Sequence, residues 1–151
     1  MELTLAQVQS VIDMSQFDRW LGLTAIDLDE NGLTIRMPVR REILGTPKID
    51  RLHGGAVSTL IDATACYLLI ALNNKRVSTV DMVIDYLRPA HGDMTARSRV
   101  VKLGRTICVV TVEVTGANGK LVATGRLAIA PSDIPIGEEQ LFAERAPATA
   151  G

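Results

Sequence analysis

The sequence predicts an α+β fold, with one long apolar helix lying against antiparallel strands. Three observations point to it. Residues 56–72 are apolar on nearly every helical face, interrupted only by small hydroxyls and one carboxylate, Asp62. Segments on both sides alternate apolar and polar residues with the period of a strand. The pairs Asn31-Gly32 and Asn118-Gly119 stand between such segments, where tight hairpins need residues tolerant of positive φ. A chain of 151 residues with 47% hydrophobic content can bury one core, and with only 3% aromatics that core is aliphatic.

The elements follow in chain order. Leu5, Val8, Ile12, Trp20 and Leu21 keep roughly helical spacing, Thr4 can cap and Gly22 can stop the run. Residues 4–20 therefore read as one or two short amphipathic helices bracing a sheet. Residues 22–29 and 32–39 read as a hairpin, with Leu33, Ile35, Met37 and Val39 on one face. Residues 40–50 read as a loop because of Gly45 and Pro47. As a helix, residues 56–72 would span about 25 Å, short for a bilayer and suited to a protein interior. Residues 77–88 alternate as a strand, with Ser78, Val80, Met82, Ile84 and Tyr86 on one face and Thr79, Asp81, Val83, Asp85 and Leu87 on the other. Residues 94–103, 106–115 and 121–130 read as a meander, with Arg97, Arg99 and Lys102 exposed and Pro131 ending the last strand.

Residues 1–131 thus form a single domain. Residues 132–151, rich in Pro, Glu and Ala, read as a mobile tail in which Gln140-Leu141-Phe142 could pack locally. One small sheet cannot cover an all-apolar helix, so the sheet is expected to curl around it and a second copy to cover the rest, as a homodimer.

Composition narrows the partners. A formal charge of −1 without any basic block excludes a nucleic-acid-binding surface. Met1 to Leu5 lacks the basic and apolar regions of a secretory signal, and no membrane association is expected. Cys66 and Cys108 lie in apolar runs without metal-ligand spacing. They read as free core thiols in a reducing compartment, the cytoplasm, with no metal and no cofactor.

Leaving Asp62 ionised in an apolar helix is costly unless it is paired, hydrogen-bonded or wet. His53-Gly54-Gly55 marks a helix start two turns earlier. Eight residues separate Gly54 from Asp62, which is about 12 Å along the axis. If both act on one centre, that centre cannot be served by a single helix. Two antiparallel helices of a symmetric dimer would meet the requirement twice.

These residues resemble a known family. Leu52-His53-Gly54-Gly55, with Leu60-Ile61-Asp62 placing the acid nine residues after the histidine, is similar to the hotdog-fold acyl-CoA thioesterases of the phenylacetate-pathway (PaaI-like) type. Ser78-Thr79-Val80-Asp81-Met82, Tyr86-Leu87-Arg88-Pro89-Ala90 and Lys102-Leu103-Gly104-Arg105 match later strands of that family, so the likeness runs over residues 20–130.

The resemblance implies a hotdog fold, a long helix wrapped by a curved antiparallel sheet. It implies hydrolysis of a small, medium-chain or aryl acyl-CoA, with CoA present only as part of the substrate. Gly54 would supply a backbone N–H to the developing oxyanion, helped by the helix dipole. Asp62 would be general base or nucleophile, Thr79 would orient the acid or water, and the assembly would be a tetramer of edge-joined dimers. Family members often carry an Asn shortly before His-Gly-Gly, and here Pro47-Lys48-Ile49-Asp50 stands instead. Asp50 is the available substitute.

Each site residue also has a plainer role. Asp62 could be a structural acid bonded to Ser58 or Thr59. His53, which with Gly54, Gly55, Asp62 and Thr79 makes up the candidate catalytic set and is read there as orienting rather than transferring protons, could merely cap the helix or fill the turn, and Thr79 could be an ordinary strand residue. Thr64 reads as core, Cys66 as packing and His91 as solvated. Arg88 and Arg105 are the better candidates to meet CoA phosphates, with Lys102 and Arg126 behind them. Besides hydrolysis, the sequence leaves open a non-catalytic acyl-CoA-binding protein and an enoyl-thioester hydratase or dehydratase.

Overall fold

Thr4 starts the first helix. In the computed structural model, which describes residues 1–46 and 48–137, α1 (Leu5–Met14) carries a capping box. Thr4 Oγ1 accepts the Gln7 N–H at 3.3 Å, and Gln7 Oε1 accepts the Thr4 N–H at 2.9 Å. Ser15 ends α1 and caps α2 (Gln16–Leu21), which stops at Gly22 with φ 74°. The break at Ser15 resets the helical phase. Trp20 therefore faces out, 44% exposed, stacked on Phe17 with the Arg40 guanidinium 5.2 Å from its ring centre.

The first hairpin forms as its Asn-Gly turn requires, from β1 (Thr24–Asp29) and β2 (Gly32–Met37). Leu33, Ile35 and Met37 are buried, while Val39, beyond the strand end, is exposed. Residues 40–50 are more ordered than a loop. A short 3-10 turn at Arg41–Ile43 leads into β3 (Leu44–Thr46), which pairs with β4 (Ile49–Leu52) as a separate hairpin. Pro47 lies outside the described residues.

The apolar run forms α3 (Gly54–Asn73), two residues longer at its start than its apolar part and closed by Asn74 with φ 49°. By length and a mean hydropathy of 1.7 this helix could cross a membrane. Here it is the core helix, with Leu60, Ile61, Ala65, Leu68 and Leu69 buried. Each of the Leu and Ile side chains contributes roughly 1.5–3 kcal/mol by leaving water. The first residues are tied to its far end, where the Ala71 carbonyl accepts the N–H groups of Glu2 and Leu3 at 2.9 and 3.0 Å.

The remaining strands are β5 (Lys75–Tyr86), β6 (Met94–Lys102), β7 (Cys108–Gly116) and β8 (Leu121–Pro135). They complete a six-stranded sheet in the order β1-β2-β6-β7-β8-β5, antiparallel throughout. Helix α3 touches β2, β5, β6, β7 and β8, so a large sheet covers one long helix, the α+β hotdog arrangement. At Gly125 the approach is so close that a Cβ would lie 2.5 Å from Ile61 Cγ2.

Three details differ from the sequence reading. β5 carries a bulge: Thr79 pairs with Ile129 and Asp81 with Ala128, leaving Val80 as the extra residue. The parity of the strand changes there. Val77 and Thr79, then Met82 and Ile84, are the half-buried residues, so Thr79 shares a face with Met82 rather than with Val83. β8 also runs past Pro131 to Pro135. β7 reaches only to Ile129, so beyond that point β8 has one neighbour and a missing N–H is tolerated. Ile136 then packs inward and donates its N–H to Asn74 at 3.0 Å. The proposed apolar contact of residues 140–142 lies outside the described residues. Finally, Arg97 is partly covered, donating to Asp27 at 2.7 Å and to both oxygens of Asp29 at 2.9 Å.

The two edges of the sheet are unlike. At β1, Gln9 of α1 takes the Ala25 N–H at 2.8 Å and donates to the Leu23 carbonyl at 3.2 Å. At β5 the edge is open, with Val80, Val83 and Tyr86 exposed at 61%, 58% and 55%.

Candidate active site

His53 has β-region backbone angles and is the N-cap of α3. Its own N–H goes to the Ile43 carbonyl at 2.8 Å, which fixes the turn into the helix. Its ring bends back, and Nδ1 accepts the Gly55 N–H at 2.9 Å. A backbone N–H can only donate, so Nδ1 is unprotonated and the proton of this neutral imidazole sits on Nε2. Gly55 is required by the same contact, since a Cβ there would lie 2.9 Å from Nδ1. The cap leaves Gly54 as the first-turn N–H without an acceptor among the described residues.

Gly54 lines a cavity of about 490 Å³ together with His53, Arg51, Val57, Tyr86 and Arg88. Helix termini of this kind favour negative charge, because unpaired N–H groups and the helix dipole act together. Two residues here carried no assigned role in the sequence. Arg51 precedes the motif and sits on the cavity wall. Tyr86 donates its hydroxyl to the Gly54 carbonyl at 3.0 Å. Both could have been suspected from their places beside His-Gly-Gly and Arg-Pro-Ala.

Asp62 lies two turns further along α3, half-buried. It is not bonded to Ser58 or Thr59, whose hydroxyls both go to the Gly55 carbonyl at 2.9 Å. Its partner is Thr79 of β5, whose Oγ1 donates to Asp62 Oδ1 at 2.6 Å. Cys66 lies beside them, its sulfur 3.3 Å from Thr79 Oγ1 and 3.9 Å from Asp62 Oδ1. Burial pushes the Cys66 thiol up to about 12, the Asp62 carboxylate adds to this, and the Thr79 hydrogen bond opposes it. Cys66 is thus a neutral thiol and no nucleophile. Thr64 is core, with its hydroxyl on the Leu60 carbonyl at 2.6 Å and its own carbonyl accepting from Ser98 at 3.0 Å.

Asp62 and Gly54 thus stand in separate surroundings within one chain, the first against Thr79 and Cys66 and the second in the cavity at the helix start. Arg88 belongs to the Gly54 end, where it lines the cavity and donates to the Leu121 carbonyl at 2.8 Å. Arg105 lies elsewhere, in a groove lined by Asn73 and Lys75 at the other end of α3. His91 is exposed but partnered, its Nδ1 meeting the Asp50 carbonyl. Among the described residues no cluster of His, Cys, Asp and Glu is arranged to hold a metal ion.

Comparison with known proteins places this geometry. Residues 50–123, from the hairpin before His53 through half of the sheet, match the family model of the thioesterase superfamily. Human acyl-coenzyme A thioesterase 13 is 32% identical over 124 residues, covering 79% of this chain and 87% of that protein. Among solved structures, a thioesterase family protein from Silicibacter pomeroyi is 25% identical with a TM-score of 0.76, over 86% of this chain and 97% of that one. The PaaI protein of the E. coli phenylacetic acid degradation operon shares the fold, with a TM-score of 0.76 at 23% identity over 89% of this chain and 100% of that one. The chain belongs to the thioesterase superfamily, and is a thioester hydrolase built on the hotdog fold.

Proposed function

We propose that this protein hydrolyses acyl-CoA thioesters at a site shared between two copies of the chain. The Thr79–Asp62 hydrogen bond carries the reading. It holds an acid of an apolar helix with a neutral hydroxyl, and no ion pair among the described residues engages that acid. Both contacts of Asp62 use Oδ1, which leaves the other oxygen for chemistry.

The thioester carbonyl would accept the Gly54 N–H of one copy, where the helix terminus favours the negative oxygen of the tetrahedral intermediate. Asp62 of the other copy would act in one of two ways. As a base it takes a proton from water while the hydroxide adds to the carbonyl, and the thiolate of CoA leaves and is protonated. As a nucleophile its oxygen adds, CoA leaves, and water cleaves the mixed anhydride. Thr79 holds Oδ1 in both cases, leaving the other oxygen to react. Gly55 contributes through the cap, since its N–H is taken by His53. Arg88 and Arg51 suit the CoA phosphates at the Gly54 end. Arg105 could contribute only across an interface.

The open β5 edge and its exposed Val80 and Val83 support pairing of two copies along that edge, with the family resemblance extending this to a homotetramer. The free thiols of Cys66 and Cys108 suit a reducing cytoplasm. The acyl group is small, medium-chain or aryl.

Thiol release from short, medium, long and arylacetyl CoA esters tests the activity. Mixed assembly tests the shared site. Asp62→Asn and Gly54→Pro chains are each expected to be inactive alone, whereas a mixed dimer has one site with both groups intact. Regained turnover on mixing supports sharing. No regain in a verified heterodimer would place both groups in one chain. Hydration of a 2-enoyl-CoA without thiol release, or tight binding without turnover, would replace the hydrolase reading.

A further inference from the structure

The Gly54–Gly55 peptide unit is held at both ends by side chains from different parts of the fold. Its N–H, that of Gly55, goes to His53 Nδ1 at 2.9 Å. Its C=O, that of Gly54, takes the Tyr86 hydroxyl at 3.0 Å. The two contacts are independent. His53 is the residue just before the helix, and Tyr86 is the last residue of the sheet-edge strand β5. The Tyr86 ring also lies close to the turn, where a Cβ on Gly54 would be 3.5 Å from Cε1 and Cζ, ordinary contact distance.

Glycine is the residue least able to hold its own backbone angles, and here two occur in succession at the point that aims the Gly54 N–H. The His53 carbonyl, in the same peptide plane as the Gly54 N–H, accepts the Ala56 N–H at 3.0 Å, but the torsions of Gly54 itself would stay loose if the peptide after it were free. The donor would then aim at the oxyanion for only part of the time. Electrostatic stabilisation of a transition state depends on donors already in place, because reorienting them costs free energy at the moment of reaction.

We propose that Tyr86 is a positioning residue for the oxyanion donor: it clamps the Gly54–Gly55 peptide against the His53 cap, while the preceding His53–Gly54 peptide, which carries the donor N–H, is held through its carbonyl by the Ala56 N–H at 3.0 Å, so that Gly54 is fixed from both sides. This rests on the reading of Gly54 as the donor. Tyr86 acts through the backbone and touches no reacting atom. β5 then serves both half-sites, with Thr79 holding the acid of its own chain and Tyr86 holding the donor turn.

The clamp has a graded origin. The hydroxyl bond is an ordinary neutral one, so its loss corresponds to about a 2- to 12-fold change in rate. Tyr86→Phe removes the hydroxyl and keeps the ring. The expected result is a kcat lowered about 2- to 12-fold with KM changed less than about twofold, since the donor acts mainly on the charged intermediate. Two further measurements use the full-length protein and need no turnover. The Gly54 and Gly55 amide resonances should move and the Gly55 amide should exchange with solvent faster in Tyr86→Phe, in the wild-type background and equally in Asp62→Asn. The oligomeric state, read by light scattering, should be unchanged.

Unmoved Gly54 and Gly55 amides would overturn the clamp, whatever the activity. Moved amides with an unchanged kcat would overturn its role in the reaction. If Asp62→Asn retained full turnover, the shared-site chemistry would fail while the amide result still decided the clamp.

Discussion

Thr79 Oγ1 and Asp62 Oδ1 stand 2.6 Å apart although 17 residues of chain separate them. One lies on the edge strand and the other on the central helix. Asp62→Asn preserves shape and the acceptor for Thr79 while removing charge. Its kcat is expected to fall by roughly 10²- to 10⁴-fold with the melting temperature little changed. Steady-state thiol release with calorimetry measures both, and near-full turnover would remove Asp62 from the mechanism.

Thr79→Ala should cost less. It takes one hydrogen bond from a carboxylate that remains in place, so kcat should fall by roughly one order of magnitude. Thr79→Ser keeps the donor and should recover most of the loss. A Ser variant as slow as the Ala variant would mean that the methyl group, through packing, is what matters.

His53→Ala removes the only side-chain cap of α3. Unfolding in urea should show a loss of about 1 kcal/mol, the usual worth of an N-cap. Gly55→Ala should lower activity through the same contact, because its Cβ would press on His53 Nδ1. Gly55→Ala with wild-type kcat would show that the imidazole can move without consequence.

Cys66 has its thiol pushed up to about 12, chiefly by burial. A free cysteine ionises near 8.5. At pH 9 the native protein should therefore resist iodoacetamide at Cys66, and Cys66 should label on denaturation, as read by mass spectrometry. The linkage has a definite sign. The folded state keeps a proton that the unfolded state releases, so this stabilisation is complete below about pH 8.5 and declines as pH rises towards 12. Alkylation at the rate of a free thiol would contradict the buried, neutral assignment.

Asp93 shows the opposite sign. The Val39 N–H at 2.8 Å, and then the Arg36 guanidinium, hold its carboxyl below the usual range. Its contribution is present above the unfolded value near 3.9 and is lost as pH falls through the folded one. Asp93→Asn should be less stable than wild type at pH 7, and the difference should shrink below about pH 4. A gap constant down to pH 2 would show that charge plays no part.

Much of this was legible in the chain. The run 56–72, the Asn-Gly turns and the β-branched strands specify the central helix and most of the sheet, because each feature is local. His53-Gly54-Gly55 marks the helix start by its chemistry alone. The bulge at Val80 was not legible, because alternation counts residues and a bulge adds one without changing the residue types. Thr79 consequently stood on the wrong face with Asp81 and Val83, and its place beside Asp62 came only with the fold. Pro131 read as a stop because a sequence does not show that β7 ends alongside and leaves β8 free there. Arg97 read as exposed because its partners on β1, Asp27 and Asp29, lie 70 and 68 residues away in the chain. Tyr86 was missed as a functional residue because its partner is a backbone atom 32 residues away.

The unlike edges of the sheet govern how far assembly can proceed. An edge strand is a template for further strands, and among the described residues no side chain bonds to the backbone of β5, whereas Gln9 takes the Ala25 N–H at β1. At β1 the Gln9 side chain already occupies backbone groups that an added strand would need. Association of free edges uses up the templates of both copies and exposes no new one. If two copies join along β5, growth by that route stops at two chains and sets no path towards a fibre.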